Sequence, residues 1–568
     1  MILHALFSGI VFLTGSTASP DAFDKSLALV PPDAGAICAI PNLGLLNNDL
    51  GALIDGTNQP AAVLAGRPIE MMKALLGLGA GFDESGSMLL WLQKDPGGSG
   101  EVAPVYLVPA SDPQSFLTAN FTADGTGWRN NQNSELLFFA RPCANHLLLS
   151  PVEQLATSYE PADGSMNRVR SHLSESQAAH LAKADLLAWI DGPTSRFLAE
   201  QVKDMARDVP FSDRDSLPPA VESAFQSSLV LVDVDPLGLS VRKFTAFDPA
   251  SEFGALLKGG PSSGAPLDRL PLAPFYMAFS VDVAALGGMP TLHRIFELLG
   301  GSSEDLPKSI LAPELEVDSI QGAIYPSRLG IALGGFLNDS ALIMSGPDPQ
   351  ALEDHFHESL ESLDGERGGI RYETTWVDDK PLRTGGVSDA FQMKETVLPP
   401  SQRTGSPRIS NAAIQRMFTQ FIFGSRGLAG FAGTERNAFI LTFSQRPDVW
   451  NRALEASNGT SSGLGKDPVL ASMRSWLMED PDIEFAIGFG TFGKLLGQLA
   501  RSFPMIEPDQ VPQIPEGTPP VVVDLGYRNH VAEMAVVVPT GVIALGVEQA
   551  MQSAAGAAGL TSPRDGKN

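Results

Sequence analysis

The chain has 568 residues, with 65 acidic against 39 basic side chains and a formal net charge of −26. So acidic a surface repels nucleic acid and anionic membranes, and no basic block interrupts it. At 43% hydrophobic and 18% charged residues the composition is that of a folded protein, long enough for about three or four domains.

Met1 to Leu13 is an apolar run ending in Gly15-Ser16-Thr17-Ala18, with small residues Ser16 and Ala18 where a signal peptidase reads. The expectation is a signal peptide over 1–18 and an exported chain, periplasmic or extracellular. The run departs from pattern in lacking Lys or Arg, and a buried N-terminal strand or helix is the alternative. No later stretch reaches about 18 apolar residues unbroken, so the mature chain is expected to carry no transmembrane segment. Cys38 and Cys143 permit one disulfide in an exported protein; two reduced, buried thiols fit the same pattern.

Residues 36–40 read as a strand and 43–53 as a helix. A strand at 88–92 precedes a turn at Pro96-Gly97-Gly98. Val105 to Pro109 then runs into Asp112-Pro113-Gln114, an N-cap followed by a residue whose φ is already helical, so strand turns into helix. Strands follow at 135–139 and 146–149, and Ser150-Pro151-Val152-Glu153 has capping-box spacing. A strand at 186–190 leads into a helix near 195–208 and a Pro-rich break at 209–219. Strands 228–232 and 239–244 form a hairpin across Asp235-Pro236-Leu237-Gly238. Asp248-Pro249 opens a further helix.

Lys258 to Gly264 has linker composition, and beyond it the order begins again. A strand at 275–280 and a helix at 291–299 precede strands at 329–333 and 342–344. Asp348-Pro349-Gln350 repeats the first strand-to-helix signature. A strand at 438–443 precedes a helix from Pro447, and one at 483–487 precedes a helix over 492–503. After a break at 504–520, residues 521–524 and 532–538 close with a hairpin.

The expected fold is α+β: two related halves of mostly antiparallel sheet, with helices on one face, from an internal duplication. The halves are 24–258 and 271–552, joined by a linker at 259–270. The second carries an inserted flexible loop near 395–408, and 553–568 reads as a disordered tail.

Candidate chemistry is sparse. Gly488-Phe489-Gly490-Thr491-Phe492-Gly493 matches G-x-G-x-x-G between strand and helix, the dinucleotide-binding context. The acid expected about 20 residues on falls in Glu507-Pro508-Asp509, which no central parallel strand tolerates. Gly77 to Gly81 reads as a turn. G-x-S-x-G occurs at 260–264 and 459–463, in Ser/Gly stretches after helices and not at a strand-to-helix elbow. His355 and His357 sit two apart on an acidic helix, whereas a helical zinc pair needs i and i+4, so a solvated face is expected. Asp233 with Asp235, and Asp480 with Asp482, read as solvated acids; a glycosidase pair needs a cleft that raises one pKa. Asn120, Asn338 and Asn458 are sequons. No catalytic, cofactor-binding or metal residue is assigned.

Leu29-Val30-Pro31-Pro32-Asp33-Ala34 feeds a strand, Val105 to Pro109 precedes Asp112-Pro113, and Ala184-Asp185-Leu186 opens a strand. With the leader, this pattern over most of 24–552 resembles uncharacterised exported bacterial proteins of a domain-of-unknown-function type. The resemblance implies an envelope location and supplies no activity or site residues. The expected function is an exported, non-enzymatic binding or structural protein of the bacterial envelope or cell surface, its partner an unidentified protein or envelope ligand. The alternatives are a secreted hydrolase using carboxylates and a carrier of an apolar ligand. Convergent Asp, Glu and His in a cleft favour the hydrolase, a large apolar pocket the carrier, and neither the binding protein.

Overall fold

The computed structural model describes residues 25–546 except 57–68, 96–101, 206–217, 261–266, 300–311, 378–388, 398–418, 503–513 and stretches of three residues or fewer. The expected leader at 1–18, the tail at 553–568 and Ser262 therefore lie outside the described residues.

In the first half the strands are β1 (Ala36–Ile40), β2 (Met88–Lys94), β3 (Val102–Pro109), β4 (Phe121–Asp124), β5 (Gly127–Asn130), β6 (Leu137–Cys143), β7 (His146–Ser150), β8 (Leu186–Asp191), β9 (Phe225–Asp235) and β10 (Gly238–Phe247). The helices are α1 (Leu43–Gly56), α2 (Pro113–Asn120), α3 (Glu153–Thr157), α4 (Ser165–Arg170), α5 (Glu175–Leu181), α6 (Gly192–Met205), α7 (Pro219–Ala224) and α8 (Glu252–Leu256). The second half has β11 (Met277–Asp282), β12 (Ser319–Ile324), β13 (Ser340–Ser345), β14 (Gly365–Arg367), β15 (Ile370–Val377), β16 (Asp389–Val397), β17 (Ala429–Glu435), β18 (Ala438–Phe443), β19 (Ile483–Ile487), β20 (Val521–Arg528) and β21 (Val531–Pro539). Its helices are α9 (Met289–Leu298), α10 (Gly330–Gly334), α11 (Pro349–Glu361), α12 (Pro447–Ser457), α13 (Pro468–Met473) and α14 (Phe489–Ser502).

Both Asp-Pro signatures cap helices as the spacing predicts. The Asp112 carboxylate accepts the Gln114 and Ser115 N–H groups, and Asp348 accepts that of Ala351. α2 then buries Phe116 and Leu117, and α11 buries Leu352, Phe356 and Leu360. Other local readings fail. Ser150 accepts the Val152 N–H and forms no capping box, so α3 starts without a side-chain cap. Asp248 closes a turn on Ala250, and Ser251 caps α8 instead. Residues 329–333, read as strand, fall instead almost wholly in helix α10. Glu395, placed in the flexible loop, pairs with Tyr372 inside β16.

Among the described residues every strand pairing is antiparallel, and the 21 strands named above form one sheet. Its centre is a seam where β10 pairs with β21 over nine residue pairs, from Gly238↔Pro539 to Ala246↔Val531. Outward from the seam the first half runs β10, β9, β8, β1, β2, β3, β7, β6, β5. The second half runs β21, β20, β19, β11, β12, β13, β18, β17, β16.

Helices cover both faces, not the one expected. Leu187 and Leu231 pack with Val169 of α4 and Leu181 of α5 on one side, while Leu186 and Val232 pack with Leu46 and Leu50 of α1 on the other. The reason is in the strands: β1 and β7 are buried at every position, leaving no face for water. No helix among the described residues is long and apolar enough to cross a membrane.

Candidate functional site at the seam

One row of side chains crosses the sheet through Arg242, and its character changes at the seam. Towards the first half it continues through Leu231, Leu187, Ala39 and Leu89. Towards the second half it passes Ala535, then Asp524, Glu484, Ser280 and Gln321. Buried polar groups must be paired, and a short segment after α13 supplies partners. Arg474 donates from both terminal nitrogens to the two Glu484 oxygens, at 2.8 and 3.0 Å. The Met478 N–H donates to Asp524 Oδ2 at 3.0 Å, while Asp524 Oδ1 has no partner among the described residues. Burial, helped by Glu484, pushes the Asp524 carboxyl up to about 8.

At the seam Arg242 donates to Glu533 Oε1 at 3.1 Å and to the Leu477 carbonyl at 2.8 Å. Gln177 of α5 donates to the other Glu533 oxygen at 2.6 Å. Thus α5 of the first half and the 474–478 segment of the second meet above the joint.

Beside them opens a cavity of about 450 Å³, lined among others by His180, Lys183, Asp233, Asp235, Arg242 and Trp476. Asp233 is half-buried, not solvated as expected. Burial raises its pKa, the neighbouring Asp235 adds to that, and a hydrogen bond with Asp185 opposes them. Asp185 in turn accepts the Val234 N–H at 3.0 Å. Burial, with Arg242 and Lys183 nearby, pulls His180 down to about 4, leaving a neutral imidazole at pH 7. Acids and an imidazole therefore do converge on a polar cavity. Yet Asp185 and Arg242 are committed to holding the sheet, and among the described residues no hydrogen bond joins His180 to a carboxylate. Among the described residues these groups do not link into a nucleophile–base–orienter chain.

The remaining motifs resolve into structure. β19, which precedes the G-x-G-x-x-G turn, is antiparallel to both neighbours, unlike the parallel strand of a dinucleotide fold. A Cβ on Gly488 would meet the Phe275 carbonyl oxygen at 2.1 Å and one on Gly493 would meet Ile514 Cβ at 2.6 Å. These glycines serve close packing, although Gly488 and Gly490 also line a second cavity of about 470 Å³ with Lys494. The motif at 459–463 follows α12 with no strand before it; Gly459, at φ +71°, turns the chain. Asp480 is exposed, whereas Asp482 is buried, accepts the Tyr527 N–H at 2.7 Å and pairs with Arg528 at 2.6 Å. Asn120 is buried, bonding the Gly79 N–H and the Ala80 and Phe116 carbonyls, which removes it as a glycan acceptor.

Cys38 and Cys143 are free. Strands β2, β3 and β7 lie between their strands, a separation of roughly 19 Å at the usual strand spacing and far beyond disulfide reach. They also pack against opposite faces of the sheet. Sequence reasoning missed His180, Arg242 and Trp476, for which no local signal exists. It also missed that Glu353 and His357 are spaced i, i+4 and approach Asp389.

No protein-family model matches the chain, and no curated protein does. A solved structure titled "Structure of crystal form III of TP0453" aligns with 40% of this chain and 80% of its own, at 9% identity and a TM-score of 0.20. So low a score carries no argument. The resemblance to exported bacterial proteins rests on the short motifs alone.

Proposed function

We propose that the chain is an exported, non-enzymatic binding protein of the bacterial envelope or cell surface. In this reading it is built from two copies of one α+β unit, and a small polar ligand seats in the cavity on their seam. The strand order supports duplication, since both half-sheets retrace the same route through the chain outward from the seam. Matching detail supports it too. The Asp185 N–H donates to the Val232 carbonyl and its Oδ2 accepts from Val234; the Asp482 N–H donates to the Leu525 carbonyl and its Oδ2 accepts from Tyr527. The Asp-Pro helix follows the third strand of each half.

The observation that carries the binding role is the seam cavity itself. Two units joined edge to edge create a concavity that neither owns, here lined by His180 and Asp233 from one and Trp476 from the other. Its mixture of acids, cations and an indole face suits a ligand with both donors and acceptors. A thermal-shift screen of sugars, amino acids and short peptides tests this. A compound that raises Tm for the wild type should lose its effect in both Lys183→Ala and Trp476→Ala; a hit indifferent to both places the site elsewhere. Export is tested by N-terminal sequencing of the secreted or periplasmic protein, expected to begin at Ser19.

One observation favours the hydrolase as second reading: Asp233 has a raised pKa and Asp235 lies two residues on along β9. That reading requires turnover of a glycoside or ester probe, abolished by Asp233→Asn. Ligand binding without turnover leaves the first.

A further inference from the structure

Away from the seam, three metal-competent side chains meet on the outer part of the second half. Glu353 and His357 are one turn apart on α11 and share a face, and Asp389 opens β16 opposite them. One donor atom from each lies within 4.8 Å of the other two. His357 Nε2 is 3.6 Å from Asp389 Oδ2, too far for a hydrogen bond. It is shielded from solvent and without a hydrogen-bond partner among the described residues. The imidazole stacks on Trp376 with centroids 3.8 Å apart and planes at 16°. Trp376 is itself wedged against Phe356 and Phe391, so the ring's direction is fixed by packing. Gln350 and Thr434 of β17 stand beside the Glu353 carboxyl.

We propose that Glu353, His357 and Asp389 bind a divalent first-row transition-metal ion. One imidazole nitrogen and two carboxylates, with no thiolate, form a borderline donor set suited to Zn²⁺, Mn²⁺ or Fe²⁺, and the affinity order puts Zn²⁺ first among these. Bonds of about 2.0–2.2 Å place donors roughly 3–4 Å apart, so the side chains close by about 1 Å on binding. A dication takes up the shielded Nε2 lone pair and cancels the repulsion between the two acids. An imidazolium–Asp389 pair would account for two of these groups and leave the approach of Glu353 unexplained. Bound metal ties α11 to the β15–β16–β17 edge and leaves coordination positions open.

Chelator-stripped protein titrated with Zn²⁺ by calorimetry should show one saturable site per chain, and Zn²⁺ should raise Tm by mass action. His357→Ala and the near-isosteric Glu353→Gln and Asp389→Asn should each weaken binding by more than about 100-fold, beyond the loss expected for an outer partner such as Thr434→Val. His355→Ala, on another side of the helix, should bind as the wild type does. Circular dichroism of each variant separates lost binding from lost fold. No saturable Zn²⁺ binding by the wild type, or binding unchanged in folded Glu353→Gln and Asp389→Asn, overturns the site.

Discussion

Arg242 on β10 and Glu533 on β21 are ion-paired at 3.1 Å across the seam, with side chains only 7% and 10% exposed. Such a pair holds because its remaining hydrogen-bonding capacity is used, by Gln177 on one side and the Leu477 carbonyl on the other. Removing one member strands a buried charge, so Glu533→Ala is expected to lose about 3–5 kcal/mol. Replacing both, as Arg242→Met with Glu533→Leu, should recover most of that loss. Urea midpoints for the two singles and the double measure the coupling, and strictly additive losses would mean that the pair does not act as a unit.

The seam also decides what happens when the chain is cut. Linker composition at 259–270 suggests two separable pieces. The nine-pair β10–β21 ladder, with the shared apolar cluster of Phe247, Phe253, Leu257 and Ile295, implies that they stay together. Protein cleaved in this stretch should elute from gel filtration as one species until urea is added. Two peaks in plain buffer would show the joint to be weak.

Asp524 should impose an unusual pH dependence. Its folded carboxyl titrates near 8 because it is buried, whereas an unfolded Asp titrates near 3.9. Between these values the folded chain keeps a proton that the unfolded chain has released, so stability falls as pH rises from about 4 to about 8. Asp524→Asn removes that loss. Variant and wild type should melt nearly together at pH 4, while at pH 8 the variant should be more stable by about 1 kcal/mol or more. A difference that fails to grow with pH would refute this.

Legibility followed the range of the interactions. The Asp112 and Asp348 caps depend on neighbours three residues away, and their sequence spacing is enough to find them. Residues 329–333 show the limit of the same approach: a short apolar run suits strand or helix equally, and context made it part of helix α10. β12 was missed because Gln321 and Gly322 interrupt its apolar pattern. Gln321 is tolerated because it accepts the Arg269 N–H, and Gly322 because the Phe279 ring occupies the space of its missing side chain. Burial of both sheet faces was readable in the unbroken apolar runs of β1 and β7. The seam site was not, since His180, Arg242 and Trp476 meet only through the β10–β21 register. The i, i+4 spacing of Glu353 and His357 could have been read from the sequence and was passed over for the His355–His357 pair, whereas the approach of Asp389 has no local signal.

The thiols offer a direct check on the strand order. Burial pushes the Cys38 thiol up to about 12 and also raises that of Cys143, which is half-buried. Thiol-specific reagent should titrate no group rapidly in the native protein and two after unfolding, without reductant. Tm should be the same with and without reductant. A mass lower by two hydrogens, or a Tm that drops on reduction, would require β1 and β6 to lie closer than the sheet allows.

The glycines around β19 separate packing from ligand binding. Gly488 donates its N–H to the Tyr276 carbonyl at 2.9 Å, and a Cβ there would press on the neighbouring backbone oxygen of Phe275. Backbone cannot swing aside as a side-chain tip can, so Gly488→Ala should destabilise by about 1–3 kcal/mol. At Gly497, further along α14, an added Cβ would meet nothing within 4 Å, and Gly497→Ala should stabilise by about 0.5–1 kcal/mol through helix propensity alone. Thermal melts of the two variants distinguish the cases. A neutral Gly488→Ala would leave close packing unable to explain the motif, and an anionic ligand at the α14 N-terminus would then have to be sought.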